Sequence, residues 1–87
     1  MGSFRIEFSR DAFKVYKKLD GSIKSRIDKV LEMLLEGDKI DLKPVQGVHE
    51  TYRIRVGTFR ILLKRIKEDN VYLIVKIGTR GDVYKGL

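Results

Sequence analysis

The chain has 87 residues, of which 43% are hydrophobic and 36% charged, with one proline and no cysteine. That length allows a single domain that buries only about 60 to 65% of its unfolded surface, and that composition excludes a disordered chain, a disulfide scaffold and a thiolate metal site. The formal charge of +7 is lopsided: residues 1–42 carry 9 Lys/Arg against 8 Asp/Glu, residues 43–87 carry 10 against 4, and the C-terminal half therefore points to an anionic partner such as nucleic acid, an acidic protein or a membrane surface.

In chain order, Phe4, Ile6 and Phe8 alternate with Arg5 and Glu7, the period-two pattern of a strand with one buried face. Ser9 offers an N-cap, and Ala12, Phe13, Tyr16 and Leu19 follow at helical spacing, which predicts a first helix ending near Leu19. Asp20-Gly21-Ser22 reads as a tight turn. Ile23, Ile27, Val30, Leu31, Leu34 and Leu35 then form one apolar stripe closed by Gly37 and Asp38, so the two helices make a hairpin. Lys39 to Val48 reads as a connection without periodicity. No apolar run approaches the roughly 18 residues of a membrane span, and the N-terminus lacks a signal-peptide pattern, so a cytoplasmic protein with no membrane partner is expected.

From Tyr52 the pattern is β. Tyr52, Ile54 and Val56 alternate with Arg53 and Arg55, and after Gly57-Thr58 a second run, Phe59 to Ile66, continues the alternation. A glycine opening a two-residue loop suits a type II′ hairpin turn, which sets Val56 opposite Phe59 and Arg55 opposite Arg60. That register gathers Ile54, Val56, Phe59, Ile61 and Leu63 on one face and leaves Arg53, Arg55, Arg60 and Lys64 on the other. A third run, Val71 to Arg80, is expected to turn Val71, Leu73, Val75 and Ile77 inward and Lys76 and Arg80 outward. The expected architecture is one α+β domain over residues 1–87. Two N-terminal helices cover one face of a mostly antiparallel, roughly four-stranded sheet, and the other face is cationic.

Two arginines directly opposite on adjacent strands repel, at a cost of a few tenths of a kcal/mol or more. Arg53, Arg55, Arg60, Lys76 and Arg80 converge on that face with no acid at the same positions, and a guanidinium fork bonds two phosphate oxygens at once. A single histidine, His49, excludes a His-pair nuclease; it suits a surface or strand edge, with a catalytic role as the alternative. Glu50, Glu68, Asp69 and Asp82 lack metal-ligand spacing, there is no Cys nucleophile, and no cofactor is implied. What remains is electrostatics. RNA carries its own nucleophile, the 2′-hydroxyl, and attack on the adjacent phosphate builds negative charge that a cationic cage stabilises. Arginine is a poor general base near neutral pH, and Tyr84 is placed to stack on a base, to orient the hydroxyl or simply to pack on the sheet rim.

The strand, the helical hairpin, then YRIRVGTFRILL and the terminal VKIGTRGDVYK together resemble the RelE toxin family of the RelE/ParE superfamily, over nearly the whole chain. The resemblance implies a RelE-like fold and a metal-independent endoribonuclease that cuts mRNA in the ribosomal A site. It also implies inhibition by a cognate, RelB-like antitoxin, acidic or amphipathic. By position it implies catalytic roles for four residues: Arg55 at the proposed base, Arg60 on the scissile phosphate, Arg80 at the leaving 5′-oxygen and Tyr84 stacked on the nucleotide. Arg53, Lys64, Lys76 and Lys85 are the expected RNA contacts. Arginine at position 55, where family ribonucleases commonly have lysine, shifts that residue from proton transfer toward phosphate clamping. Thr79 stands where some relatives carry histidine. Alternatives are a ParE-like gyrase inhibitor and a non-catalytic RNA- or antitoxin-binding relative.

Overall fold

The computed structural model describes residues 3–79. Arg80, Tyr84 and Lys85 lie outside the described residues. The elements run β1 (Arg5–Phe8), α1 (Arg10–Lys18), α2 (Gly21–Glu36), β2 (Leu42–Pro44), β3 (Thr51–Val56), β4 (Phe59–Ile66), a 3-10 turn (Lys67–Asp69) and β5 (Val71–Thr79). The strands form one sheet in the order β1-β5-β4-β3-β2, with β1 parallel to β5 and every other pair antiparallel.

Local chemistry sets the element ends. Ser9 caps α1 by accepting from the Ala12 amide at 3.1 Å, and its hydroxyl donates to the Val75 carbonyl at 3.2 Å, so one side chain starts the helix and fastens it to β5. Asp20 caps α2 through Ser22, whose amide and hydroxyl it accepts at 3.3 and 2.7 Å. The expected Asp20-Gly21-Ser22 turn is thus the first turn of α2 itself. Gly37 ends the helix at φ 79°, a left-handed conformation that glycine adopts without a Cβ penalty, and the Asp38 amide reaches back to the Met33 carbonyl at 3.0 Å.

Ala12 of α1 and Ile27, Leu31 and Leu34 of α2 pack on Ile54, Val56, Ile61, Leu63, Ile74 and Ile77 of the sheet, placing both helices on one face. Burying each large aliphatic side chain contributes about 1.5 to 3 kcal/mol. Among the described residues no helix is long and apolar enough to cross a membrane.

Two sequence expectations need correction. The sheet has five strands, because the 39–48 connection contains β2, a three-residue edge strand whose Leu42, Lys43 and Pro44 face Ile54, Arg53 and Tyr52. Proline fits there because an edge strand needs no second ladder and tolerates the lost N–H. The facing of β5 also differs. Its register to β4 jumps between Leu62↔Lys76 and Leu63↔Ile74, a bulge that leaves Val75 unpaired and frees its carbonyl for Ser9. Beyond the bulge the alternation reverses, so Ile74 and Ile77 enter the core, while Leu73 and Val71 face the other way opposite Lys64 and Ile66.

Candidate nucleic-acid interface

The β3–β4 hairpin holds the predicted register: Arg55 lies opposite Arg60 and Val56 opposite Phe59. Gly57 turns the corner at φ 59°, whereas Thr58 keeps a negative φ, the pattern of the expected II′ turn. Since residues paired across a sheet share a face, the register assembles the face away from the helices in rows. One row runs Lys43, Arg53, Leu62, Lys76; the next, at the hairpin tip, runs Arg55, Arg60, Gly78; the third runs Thr51, Lys64, Leu73, Glu7. Arg53, Arg55, Arg60, Lys64 and Lys76 are therefore brought together on one face, and Arg80, Tyr84 and Lys85 fall outside the described residues.

These cations differ in their surroundings. Arg53 is 7% exposed, with its guanidinium 3.4 Å from Oδ1 of Asp41. Arg55 is exposed, and its Nε lies 3.8 Å from Oδ2 of the same carboxylate. Asp41 is a residue that sequence reasoning missed: it sits just before β2, outside the alternating runs, and the edge strand delivers it beside the arginines, with its own carbonyl accepting from the Arg55 amide at 3.2 Å. The charge on the face is therefore partly balanced, contrary to the reading from alternation alone. Arg60 is half-buried and, among the described residues, makes no ion pair. Leu62, fully buried in the next row, gives the face an apolar element between Arg53 and Lys76.

His49 lies at the other end of the hairpin. Its carbonyl accepts from the Thr51 hydroxyl at 2.9 Å, and Thr51 pairs with Lys64, four residues of extended strand, about 13 Å, from the Arg55–Arg60 pair. A groove of about 540 Å³ there is lined by His49, Glu50, Lys64 and Arg65, with Glu50 bonded to Arg65 at 2.9 Å and Lys67 at 3.6 Å. Among the described residues no three His, Cys, Asp or Glu side chains gather as metal ligands. Chemically, the tip offers two opposed guanidinium forks able to hold a tetrahedral anion and to stabilise charge that grows on it. Neither fork supplies a base.

Comparison with known proteins bears on that geometry. The family described as the ParE toxin of the type II toxin–antitoxin system parDE matches residues 5–84. A Methanocaldococcus jannaschii protein named RelE1 is 30% identical, the alignment covering 94% of this chain and 96% of the relative. The mRNA interferase toxin RelE of Escherichia coli K12 is 24% identical over 94% and 90% of the two chains. Among solved structures, the RelB–RelE antitoxin–toxin complex from Methanococcus jannaschii matches with a TM-score of 0.73 and 27% identity, covering 90% of this chain and 94% of the other. The family match over nearly the whole chain, carried on the same helical hairpin and mixed sheet, makes this protein a member of the ParE toxin family within the RelE/ParE superfamily of type II toxin–antitoxin systems.

Proposed function

We propose that the protein is a ribosome-dependent endoribonuclease that cuts mRNA in the A site and is held inactive by a cognate antitoxin. The observation that carries this reading is the Arg55–Arg60 pair, two guanidinium groups facing each other at the hairpin tip with, among the described residues, one carboxylate, Asp41, near one of them. Their repulsion lowers stability unless an anion joins them, and a phosphate does so with two forks. The relative named as an mRNA interferase and the RelB–RelE complex support the substrate and the partner.

In the proposed reaction the 2′-hydroxyl gives up its proton to solvent as its oxygen attacks phosphorus, the P–O5′ bond breaks, and the 5′-oxygen takes up a proton, leaving a 2′,3′-cyclic phosphate. Arg60 holds the scissile phosphate and stabilises the extra charge of the phosphorane, and Arg55 clamps it from the facing strand. Arg53, buried against Asp41, holds that wall in place more than it touches RNA, while Lys64, Lys76 and Lys85 steer the backbone. Arg80 and Tyr84 take the leaving-oxygen and stacking roles that the family resemblance assigns them. Because general acid–base catalysis is worth roughly 10²- to 10⁴-fold and no base is evident, the ribosome supplies in-line orientation of the mRNA. The antitoxin covers the cationic face or the helical hairpin with an acidic or amphipathic helix, an association that weakens with salt.

The test is mapping of mRNA ends in a translating extract without added divalent metal. Strong cuts on ribosome-bound message, weak cuts on naked RNA and 2′,3′-cyclic phosphate ends are expected. Fast, EDTA-sensitive cutting of naked RNA that leaves 5′-phosphates would refute the mechanism. The ParE description of the matched family keeps gyrase inhibition as the second reading. Intact message with arrested gyrase supercoiling in the same extract would select it.

A further inference from the structure

The flank of α2 nearest the hairpin tip carries a second cationic surface. Arg26 and Lys29 stand three residues apart and so share one face of the helix. Of the acids of α2, Asp28 accepts from the Tyr16 hydroxyl of α1 at 2.5 Å, and Glu32, three residues after Lys29, lines a groove with Phe8 and Tyr16. Among the described residues neither the Arg26 nor the Lys29 side chain makes an ion pair or a hydrogen bond. Arg26 instead lies against the hairpin turn, so close that a Cβ on Gly57 would stand 3.0 Å from its Nη1.

Between this flank and the tip opens a groove of about 390 Å³ whose lining includes Arg26, Lys29, Val30, Arg55, Val56 and Gly57. Among the described residues three cations border it and no carboxylate lines it. Arg55 belongs to both surfaces, since it also faces Arg60 across the hairpin. A ligand in the groove therefore meets the same kind of charge as a phosphate on the sheet face and is continuous with it. We propose that this groove binds backbone phosphates of the RNA strand that flank the cleavage point, so that the strand wraps the tip from Arg60 past Arg55 to Arg26 and Lys29. This rests on the RNA-cleaving function proposed above and extends its binding site onto α2.

The test uses the full chain, single-stranded RNA oligonucleotides of about 4 and about 12 nucleotides, and fluorescence anisotropy across a salt series. For Arg26→Ala/Lys29→Ala, the slope of log K against log salt on the longer RNA should be shallower by about 1.4, two phosphate contacts at about 0.7 each, with the shorter RNA unaffected. Lys29→Ala alone leaves the contact over Gly57 intact and should be shallower by about 0.7, which keeps the test decisive if the double variant melts early. Arg26→Lys with Lys29 unchanged should keep the slope. An unchanged slope on the longer RNA overturns the proposal. So does a defect seen only with ribosomes, which gives the groove to ribosomal RNA, or only with the antitoxin, which gives it to a protein. If Arg60→Ala is inactive while the α2 variants bind normally, the groove alone falls. If wild-type protein binds RNA without salt dependence, or Arg60→Ala cuts normally, the functional reading falls and takes the groove with it.

Discussion

At one end of the β3–β4 hairpin Arg65 is held on two sides: Glu50 accepts from its Nε at 2.9 Å, and its guanidinium lies over the Tyr52 ring, 5.4 Å from the centroid. At the other end Arg55 and Arg60 face each other, with one carboxylate 3.8 Å from Arg55 and no ion pair to Arg60 among the described residues. The same two strands thus carry the same side chain in opposite circumstances. At the Glu50 end the charge is closed within the fold, and Glu50 itself adopts φ 50°, a left-handed conformation that costs a non-glycine residue about 1 to 2 kcal/mol. At the tip, among the described residues, the charge is balanced only in part, by Asp41 beside Arg55. On the function proposed above, the arginine with a full local partner serves the fold, and the pair that faces itself serves the RNA.

The largest effect that could break this comparison is on activity. Arg60→Ala should lower ribosome-dependent cleavage by about 10²-fold or more, as loss of a transition-state donor does, with a melting temperature within a few degrees of wild type. Arg65→Ala should keep cleavage within about threefold while lowering the melting temperature, since only a structural contact is lost. Primer extension on ribosome-bound message and thermal melts of both variants decide it. Equal losses of cleavage would erase the distinction between the two ends.

Next comes the carboxylate that partly bridges the two regimes. Asp41→Asn leaves the buried Arg53 without its charged partner and should destabilise the fold by about 1 to 3 kcal/mol in urea unfolding. The same change frees Arg55, so the salt dependence of RNA binding should steepen by up to about 0.7 in slope. Weaker stability with stronger electrostatic binding is the signature that Asp41 restrains the tip. A slope that fell instead would make Asp41 part of the RNA contact.

The sheet geometry sharpens the comparison further through Gly57. At φ 59° it holds the turn that sets Arg55 against Arg60, and Gly57→Ala should lower stability by about 1 to 2 kcal/mol. Adding Arg26→Ala should recover little, because the 3.0 Å contact involves the end of a flexible side chain whereas the φ strain is fixed in the backbone. Full recovery in the double variant would show that crowding by Arg26, and not backbone conformation, selects glycine there.

The parts of this arrangement that were legible in the sequence are those written as uninterrupted alternation. Ile54, Val56, Phe59, Ile61 and Leu63 admit one register, and a glycine at the turn confirms it, so the Arg55–Arg60 pair could be placed without coordinates. What escaped depends on partners distant in sequence. β2 is too short to show a period and exists because β3 offers it an edge. The bulge at Val75 adds one residue to an otherwise regular run and so inverts the facing of Leu73 and Val71; the partner that takes up its freed carbonyl, the Ser9 hydroxyl, is 66 residues away in the chain. Asp41 and Arg26 were missed for the same reason. Each belongs to an element read as a connection or a helix face, and only the packing carries it to the hairpin tip.

The smallest predicted effect is on pH dependence, and it separates the two ends by sign. Glu50 is held below its ordinary value of 4.5, first by the hydrogen bond from Arg65 and then by the charges of Arg65, Lys67 and His49. The unfolded chain, with its glutamate at the ordinary value, therefore binds a proton before the folded chain does. The stabilisation is fully present above that ordinary value and is lost as pH falls through the depressed folded value. In Glu50→Gln this part of the acid limb should flatten, and wild type and variant should converge in stability as pH drops below about 4.5, followed by urea unfolding across the series. A residual slope should persist in both, because the Ser22 hydroxyl and amide hold Asp20 low in the same direction. Arg65→Ala should flatten the limb as Glu50→Gln does, since it removes the leading cause of the shift. Arg60→Ala should leave it unchanged, since among the described residues Arg60 has no carboxylate to release. An acid limb that flattened with Arg60→Ala would mean that the tip, too, is closed by a carboxylate, and the division between a structural and a receptive end of one hairpin would fail.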